Sequence, residues 1–414
     1  MKTHPVLIVG GGVAGLSCAV HLAQAGRSVQ LFEASDEVGG RIRTDVVDGF
    51  LLDRGFQVLL TAYPEAQALL DYGELKLGRF EPGALIWFEG KFHRLVDPWR
   101  RPRHVFSTAL SPVGSILDKL RLAKLRRRVK RGSLASRYEQ PETKTIDYLQ
   151  ADGFSERMIR RFFRPFLGGI FLNADLTTSS RMFEFVFRMF SVGDAALPAG
   201  GMQQIPRQLS ALLPEKSVRL NTPVAEVGPK HVVLASVFQV NGSAVVIATE
   251  APQASQLCGK PFREASNSVT CLYFAADTPP IDEGILLLNG EGRGPINNLC
   301  VPSTVCSNYA PTGKSLVSVS VLDTTMDDDQ LEAAVLGQLE DWFGEIARTW
   351  RHLRTYRIPY ALPNQDPPAL SPVEKAVQTN NGIFVCGDQR DTGSIQGAMA
   401  SGRRAADAIL SNTA

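Results

Sequence analysis

Residues Pro5–Ala23 read PVLIVGGGVAGLSCAVHLA. Val6 to Val9 is short, continuous and aliphatic, the pattern of a buried strand. Gly10-Gly11-Gly12-Val13-Ala14-Gly15 follows with GxGxxG spacing, and Leu16 to Ala25 continues as a helix that stops at Gly26. Strand, glycine turn and helix in that order make a phosphate-binding turn. Gly10 permits the bend, Gly12 lets backbone approach a pyrophosphate, and Gly15 lets helix and strand pack closely. Val13 and Ala14 stand in the turn beside the helix N-terminus, whose free N–H groups and dipole end favour an anion. The glycines also break the apolar run, so it reads as no membrane span, and no signal-peptide pattern opens the sequence.

The next apolar run, SVQLFEA from Ser28 to Ala34, is a second strand with Glu33 at its end. Glu33 stands 18 positions after Gly15, close to the spacing of an acid that accepts ribose hydroxyls. Its charge would repel a 2′-phosphate.

Composition sets wide bounds. With 414 residues, 44% apolar and 21% charged, the chain has ample core for two domains. The net charge of +2 is unevenly spread. From Lys91 to Arg131 thirteen cations, Arg103 among them, face only Asp97 and Asp118, a net +11 that leaves −9 elsewhere. A basic face on a slightly acidic body suits an anionic surface. The six cysteines are scattered without a CxxC spacing and are expected to be reduced thiols of a cytoplasmic protein. The histidines (His4, His21, His93, His104, His231 and His352) are dispersed, and no metal site is expected.

Farther along, residues from about 80 to 200 are rich in Arg, Phe and Leu at helical spacing and read as mainly helical. Eight of the 21 Phe fall between Phe162 and Phe190. From Ser217 short strands alternate with Asn-Thr-Pro, Gly-Pro and Asn-Gly turns. VTCLYFAAD and SLVSVSVL are further strands, and a helix spans about Asp328 to Ala347. PYALPNQDPPALSP, from Pro359, reads as an extended connector because its prolines oppose regular pairing. The chain closes on IFVCGDQRDTGSIQGAMASGRRAADAIL, again a strand, a Gly-Asp turn and a helix.

Several further motifs carry a resemblance. GGR stands at Gly39, Gly40 and Arg41; LDRG stands at Leu52–Gly55. PAGGMQQIPRQL begins at Pro198, NTPVAEV at Asn221, and GDQRDTGSIQGAMASG near the end. With the GxGxxG and Glu33 they follow the order found in the FAD-dependent amine oxidase superfamily, which the chain resembles from end to end. That group includes amine oxidases, protoporphyrinogen oxidase and phytoene desaturase-type enzymes. The resemblance implies an α/β fold: a discontinuous Rossmann-like FAD domain (1–78, 198–262 and 366–414) and a substrate domain of mixed sheet and helices (79–197 and 263–365).

It also implies roles. Arg41 would pair with the FAD pyrophosphate, as an arginine fork can. Glu33 and Ala34 would meet the ribose end, and Arg54, Gly55 and Phe56 would run along the isoalloxazine. Val224 would hold adenine through its backbone, and Gly387 and Asp388 would meet the ribityl chain. Ser394, Ile395 and Gln396 would lie at the pyrimidine end, where a helix N-terminus stabilises negative charge. No cysteine of covalently flavinylated members has a counterpart, so FAD would be non-covalent.

The departures bear on substrate. The family's amine oxidases carry a strand lysine, whose position here corresponds to Thr270; no lysine lies between Lys260 and Lys314. They also place an aromatic residue where Ser394 stands. Both changes favour hydride transfer between a hydrophobic substrate (isoprenoid, polyene or tetrapyrrole-like) and flavin N5, as dehydrogenation, desaturation or redox-neutral isomerisation. An amine or amino-acid oxidase producing hydrogen peroxide, and an FAD-binding protein with little turnover, remain alternatives. No catalytic residue is singled out. The Phe cluster, with Met158, Met182 and Met189, reads equally as a substrate cavity or as core. The basic stretch 117–131 sets Leu122, Leu125 and Val129 on one side of a helix, fit either for packing or for peripheral contact with an anionic membrane. Nothing in it suggests nucleic-acid binding, and the sequence is silent on oligomeric state.

Overall fold

The computed structural model describes residues 4–102, 105–259, 261–262, 265–322 and 325–412. Arg103, His104 and Lys260 lie outside them. Five strands form a parallel sheet in the order Val218–Arg219, Val29–Phe32, Val6–Val9, Ala244–Ile247 and Phe384–Val385. Val6 stands opposite both Val29 and Ala244. The central strand is unbroken aliphatic because both of its faces are covered, as parallel sheets require.

The helix Val13–Gln24 leaves the first strand, and the C-terminal helix Ile395–Ser411 lies against it. Small residues permit the approach. A Cβ added to Gly402 would sit 2.3 Å from the Ala14 carbonyl oxygen. Ser17 Oγ donates to the Met399 carbonyl at 2.9 Å. The two ends of the chain therefore share one layer.

A second, seven-stranded sheet runs in the order Arg351–Pro363, Ser266–Ala276, Ser315–Val321, Ile296–Cys300, Leu286–Asn289, Gly83–Phe88 and Lys91–Val96. Its one parallel contact joins Leu286–Asn289 to Gly83–Phe88. The helix Asp328–Phe343 covers one face and buries Leu331, Val335, Leu339 and Trp342, spaced for a single apolar stripe. Alternation along Ser266–Ala276 sends Leu272 and Phe274 to that face and Cys271 and Tyr273 to the main core.

Two expectations about elements are corrected. The stretch expected to be mainly helical opens with a hairpin, Gly83–Phe88 and Lys91–Val96, that forms the last two strands of the mixed sheet. Its turn is Glu89-Gly90, both at positive φ (53° and 71°), the two-residue geometry that matches strand twist. The proline-rich connector likewise begins inside a strand, since Arg351–Pro363 takes in Pro359 and Pro363. That strand ends the sheet order, so a missing N–H can face outward without breaking a ladder.

Helices fill most of the remaining middle. Ile116–Lys130 starts with a reciprocal cap between Ser115 and Asp118. Residues Ile159–Phe163 make a π-helical turn, closed by the Arg164 N–H on the Ile159 carbonyl. Pro165 accounts for it: a wider turn moves the carbonyl that its ring would otherwise meet. The helix Ser180–Val192 carries Phe183, Phe185, Phe187 and Phe190. Of the eight clustered phenylalanines, Phe162, Phe163, Phe171, Phe183 and Phe185 are buried core, while Phe166, Phe187 and Phe190 are half-buried.

Candidate functional site

The first turn of the helix Val13–Gln24 is open to a ligand. Gly12 caps it in an extended conformation with no side-chain hydrogen bond, and no acidic residue occupies its first turn. A Cβ on Gly12 would meet nothing within 4 Å, whereas one on Gly15 would sit 2.1 Å from the Gly10 carbonyl oxygen. Gly12 thus leaves room above the amides of Val13 and Ala14, and Gly15 closes the strand–helix contact below. Unsatisfied amides beside open space suit an anion.

Glu33 stands at the edge of this turn. Its carboxylate accepts from the Gly11 N–H at 2.6 Å and the Ser35 N–H at 2.9 Å, and from the Ser35 hydroxyl. Thr222 N–H bonds the Glu33 carbonyl at 2.8 Å, and Asn221 N–H bonds the Ser35 carbonyl at 2.9 Å. These bonds bring the segment leading to Val224 beside Glu33. Ala34 is exposed between them.

The GGR loop reaches the same turn. Gly39 N–H donates to the Gly11 carbonyl at 2.8 Å, and a Cβ on Gly40 would lie 3.5 Å from the Gly12 Cα. Arg41 then spans to the far end of the chain: its Nη2 donates to Asp388 Oδ1 at 2.7 Å and its Nη1 to the Ala361 carbonyl at 3.0 Å. Two of the five donors that a guanidinium carries are used, so others remain for a phosphate. Gly387, after the strand Phe384–Val385, donates its N–H to Ser401 Oγ at 2.9 Å.

The C-terminal helix offers a second open N-terminus. Ser394 caps it by accepting from the Gly397 N–H at 3.0 Å. Among the described residues the amides of Ile395 and Gln396 have no acceptor. The Gln396 side chain turns away, its Oε1 accepting from the Glu65 N–H at 2.9 Å.

The LDRG segment lies across from the mixed sheet. Gly55 has φ +88°, and a Cβ there would lie 2.8 Å from Ile358 Cδ1 and 4.0 Å from Val269 Cγ1. Phe56 meets Phe80 edge-on at 6.1 Å between ring centres. The Arg54 side chain is engaged elsewhere, in a two-point contact with Asp45 at 3.0 and 3.2 Å. Thr270 does not face Gly55. It belongs with Leu272 and Phe274 on the opposite face, and Val269 and Cys271 stand on the near side. The position matched to a family lysine is therefore corrected to the Val269/Cys271 face, where the side chains are apolar or a neutral thiol. Burial pushes that thiol up to about 11.

A buried network under LDRG went unnoticed in the sequence. Asp53, 3% exposed, accepts from Thr44 Oγ1 at 2.6 Å, Met202 N–H at 2.9 Å and Tyr309 OH at 2.8 Å. Tyr273 OH bonds the Asp53 carbonyl at 2.8 Å. Burial pushes the carboxyl up to about 6 against these bonds, which favour the ionised form. Tyr273 and Tyr309, 36 residues apart, thus hold the strand Phe50–Asp53, which leads into Gly55. The only sequence signal was the Asp in LDRG.

Comparison with known proteins accords with this arrangement. Coproporphyrinogen III oxidase of Mycobacterium leprae is 29% identical over 190 residues, 44% of this chain and 40% of that protein. A Staphylococcus aureus 4,4′-diaponeurosporene oxygenase is 38% identical over 61 residues, 15% of this chain and 12% of that one. The matched stretches thus span less than half the length of these curated relatives. The solved structure of a putrescine oxidase triple mutant superposes with a TM-score of 0.74 at 19% identity, covering 99% of both chains, which shows the shared fold. The profile of flavin-containing amine oxidoreductases matches residues 13–410. From Val13 at the end of the glycine turn, through the acid and the arginine, to Leu410 in the closing helix, these features fall within one continuous family match, and the chain belongs to the flavin-containing amine oxidoreductases.

Proposed function

We propose that the chain binds FAD non-covalently and dehydrogenates a bulky hydrophobic substrate. FAD, rather than a smaller flavin, is favoured by the separation of two open helix N-termini, one beside Glu33 and one at Ser394, with Arg41 between the glycine turn and Asp388. In this reading Gly10, Gly12, Val13, Ala14, Gly15 and Arg41 hold the pyrophosphate. Glu33 and the Val224 segment hold the adenosine end, and Ile395 and Gln396 hold the pyrimidine end. The flavin supplies two-electron acceptance when bound; the protein orients substrate and excludes water.

The observation that carries the substrate class is the apolar face opposite Gly55. Val269 and Ile358 stand there without a lysine, and Ser394 serves as a helix cap rather than as an aromatic wall. Among the described residues no lysine is near Gly55, and an apolar carbon skeleton would fit against Val269 and Ile358. Two relatives named for a tetrapyrrole and a polyene, coproporphyrinogen III oxidase and 4,4′-diaponeurosporene oxygenase, point the same way.

The test is anaerobic bleaching of the flavin absorbance near about 450 nm by porphyrinogens, polyenes and amines offered separately. Bleaching by a porphyrinogen or polyene is expected. Bleaching by amines alone, with hydrogen peroxide on admitting air, would replace this reading with an amine oxidase. No bleaching by any class would leave a flavin-binding protein without this activity.

A further inference from the structure

We infer that the helix Ile116–Lys130, with Leu110 beside it, docks on an anionic lipid bilayer through a face other than its leucine-rich packed side. Leu125 and Val129 are fully buried, and Leu122 is half-buried. That side packs toward the helix Ser180–Val192, and Arg188 Nη1 donates to the Val129 carbonyl at 2.8 Å. Of the two readings of that stripe, packing and membrane contact, its burial supports packing. A second apolar set lies in solvent: Leu110 is 83% exposed, Ile116 71%, Leu117 60% and Leu120 62%.

Hydrogen bonds anchor the backbone that carries these four side chains. Asp118 fixes the helix start, accepting from Ser115 and Ser155 through their amides and hydroxyls at 2.7–2.8 Å. Lys119 Nζ donates to the Ala109 and Ser111 carbonyls at 2.7 and 2.5 Å, which ties the residues flanking Leu110 to the helix. At about 100° per residue, Ile116, Leu117, Leu120, Lys124 and Arg127 share one side. The exposed face is thus apolar in its first half and cationic in its second, where Lys124, Arg127 and Lys130 are exposed and in no ion pair among the described residues.

Charge selects the occupant. The only carboxylate between Leu110 and Arg131 is Asp118, and it is fully buried. Leucines that enter the headgroup boundary, followed by cations that stay at it, match an interfacial helix on anionic lipid. A second copy of the chain fits worse, because a two-fold contact through this face would bring the cations of both copies to one interface with no exposed carboxylate between Leu110 and Arg131 to oppose them. No helix of the described residues is long and apolar enough to cross a membrane; the contact inferred through this amphipathic face is a peripheral one.

The test is co-sedimentation of the flavin-loaded protein with vesicles of phosphatidylcholine alone or mixed equally with phosphatidylglycerol. Wild type is expected on the mixed vesicles and at least tenfold less on the neutral ones. Leu117→Glu with Leu120→Glu should lose at least tenfold in partition. Lys124→Ala with Arg127→Ala should lose about thirty-fold at low salt. All four positions are exposed on this face, so flavin content and thermal midpoint should not move and a partition loss is not a folding loss. Partition that is equal on both vesicles, absent, or unchanged in the leucine variant would overturn the inference. So would a wild-type dimer that the leucine variant dissociates without any vesicle binding.

Discussion

Arg41 Nη2 lies 2.7 Å from Asp388 Oδ1 across 347 positions of sequence. The contact joins the GGR loop, which touches the glycine turn, to the loop that precedes the closing helix. The carboxylate orients the guanidinium while further N–H groups stay available. Arg41→Ala should therefore weaken flavin binding about 10- to 100-fold, the worth of charge-assisted hydrogen bonds to phosphate of roughly 1.5–3 kcal/mol. Arg41→Lys should recover only part, since an ammonium lacks the fork. Isothermal titration of the apoprotein with FAD reads this directly, and wild-type affinity in Arg41→Ala would remove Arg41 from the site.

Gly402 tests the contact between the two ends of the chain. Its missing Cβ would stand 2.3 Å from the Ala14 carbonyl oxygen and 3.0 Å from the Cys18 nitrogen. Both are backbone atoms and cannot rotate aside. Gly402→Ala must separate the two helices, at about 1–3 kcal/mol, typical of overpacking. The urea midpoint should fall, and flavin content should fall with it, because both helices begin at turns proposed to hold the flavin cofactor. An unchanged midpoint would mean that the helices are not held this close.

Ser394 has a structural duty that is separable from substrate choice. Its hydroxyl accepts from the Gly397 N–H at 3.0 Å. Ser394→Ala should cost about 1 kcal/mol, and Ser394→Asp should cost little because aspartate caps equally well. Thermal melts of the three proteins check the order. If alanine and aspartate lower the midpoint alike, the cap is not what stabilises this helix start.

How far the sequence could be read follows from these residues. The stretch Pro5–Ala23 was legible because strand, turn and helix are neighbours in sequence, and each glycine has a local reason. The hairpin at Glu89-Gly90 was equally local, but its flanking runs, GALIWF and KFHRLV, were absorbed into an Arg- and Phe-rich background. The Thr270 assignment failed for a different reason. Strand side chains alternate with period two, so an error of one residue exchanges the faces. The ladder is irregular between Asn267 and Val269, at the very place where the count matters. On the basic helix, periodicity picked out Leu122, Leu125 and Val129 on one side, while Ile116, Leu117 and Leu120 on another side emerged only from their exposure in the folded chain. Arg41 with Asp388, and Asp53 with Tyr309, are matters of tertiary placement that no spacing encodes.

Asp53 gives the sharpest dependence on pH. Burial raises its pKa from 3.8 to about 6 in the folded protein. Between those values the native carboxyl keeps a proton that the unfolded chain has released. Stability contributed at this position is thus highest below about pH 4 and falls as pH rises to about 6. Above that both states are ionised and the dependence is flat. At 1.36 kcal/mol per unit the fall is roughly 3 kcal/mol. Asp391, likewise raised to about 6 by burial, adds a slope of the same sign to the wild-type curve. Comparison with Asp53→Asn isolates Asp53, since the amide keeps an acceptor for Met202 N–H and can donate to the Tyr309 oxygen, but carries no charge. Relative to wild type, Asp53→Asn should gain about 3 kcal/mol between pH 4 and pH 7, measured by urea unfolding at each pH. Parallel curves for the two proteins would show that the network around Asp53 accommodates its charge fully, and that burial there carries no electrostatic cost.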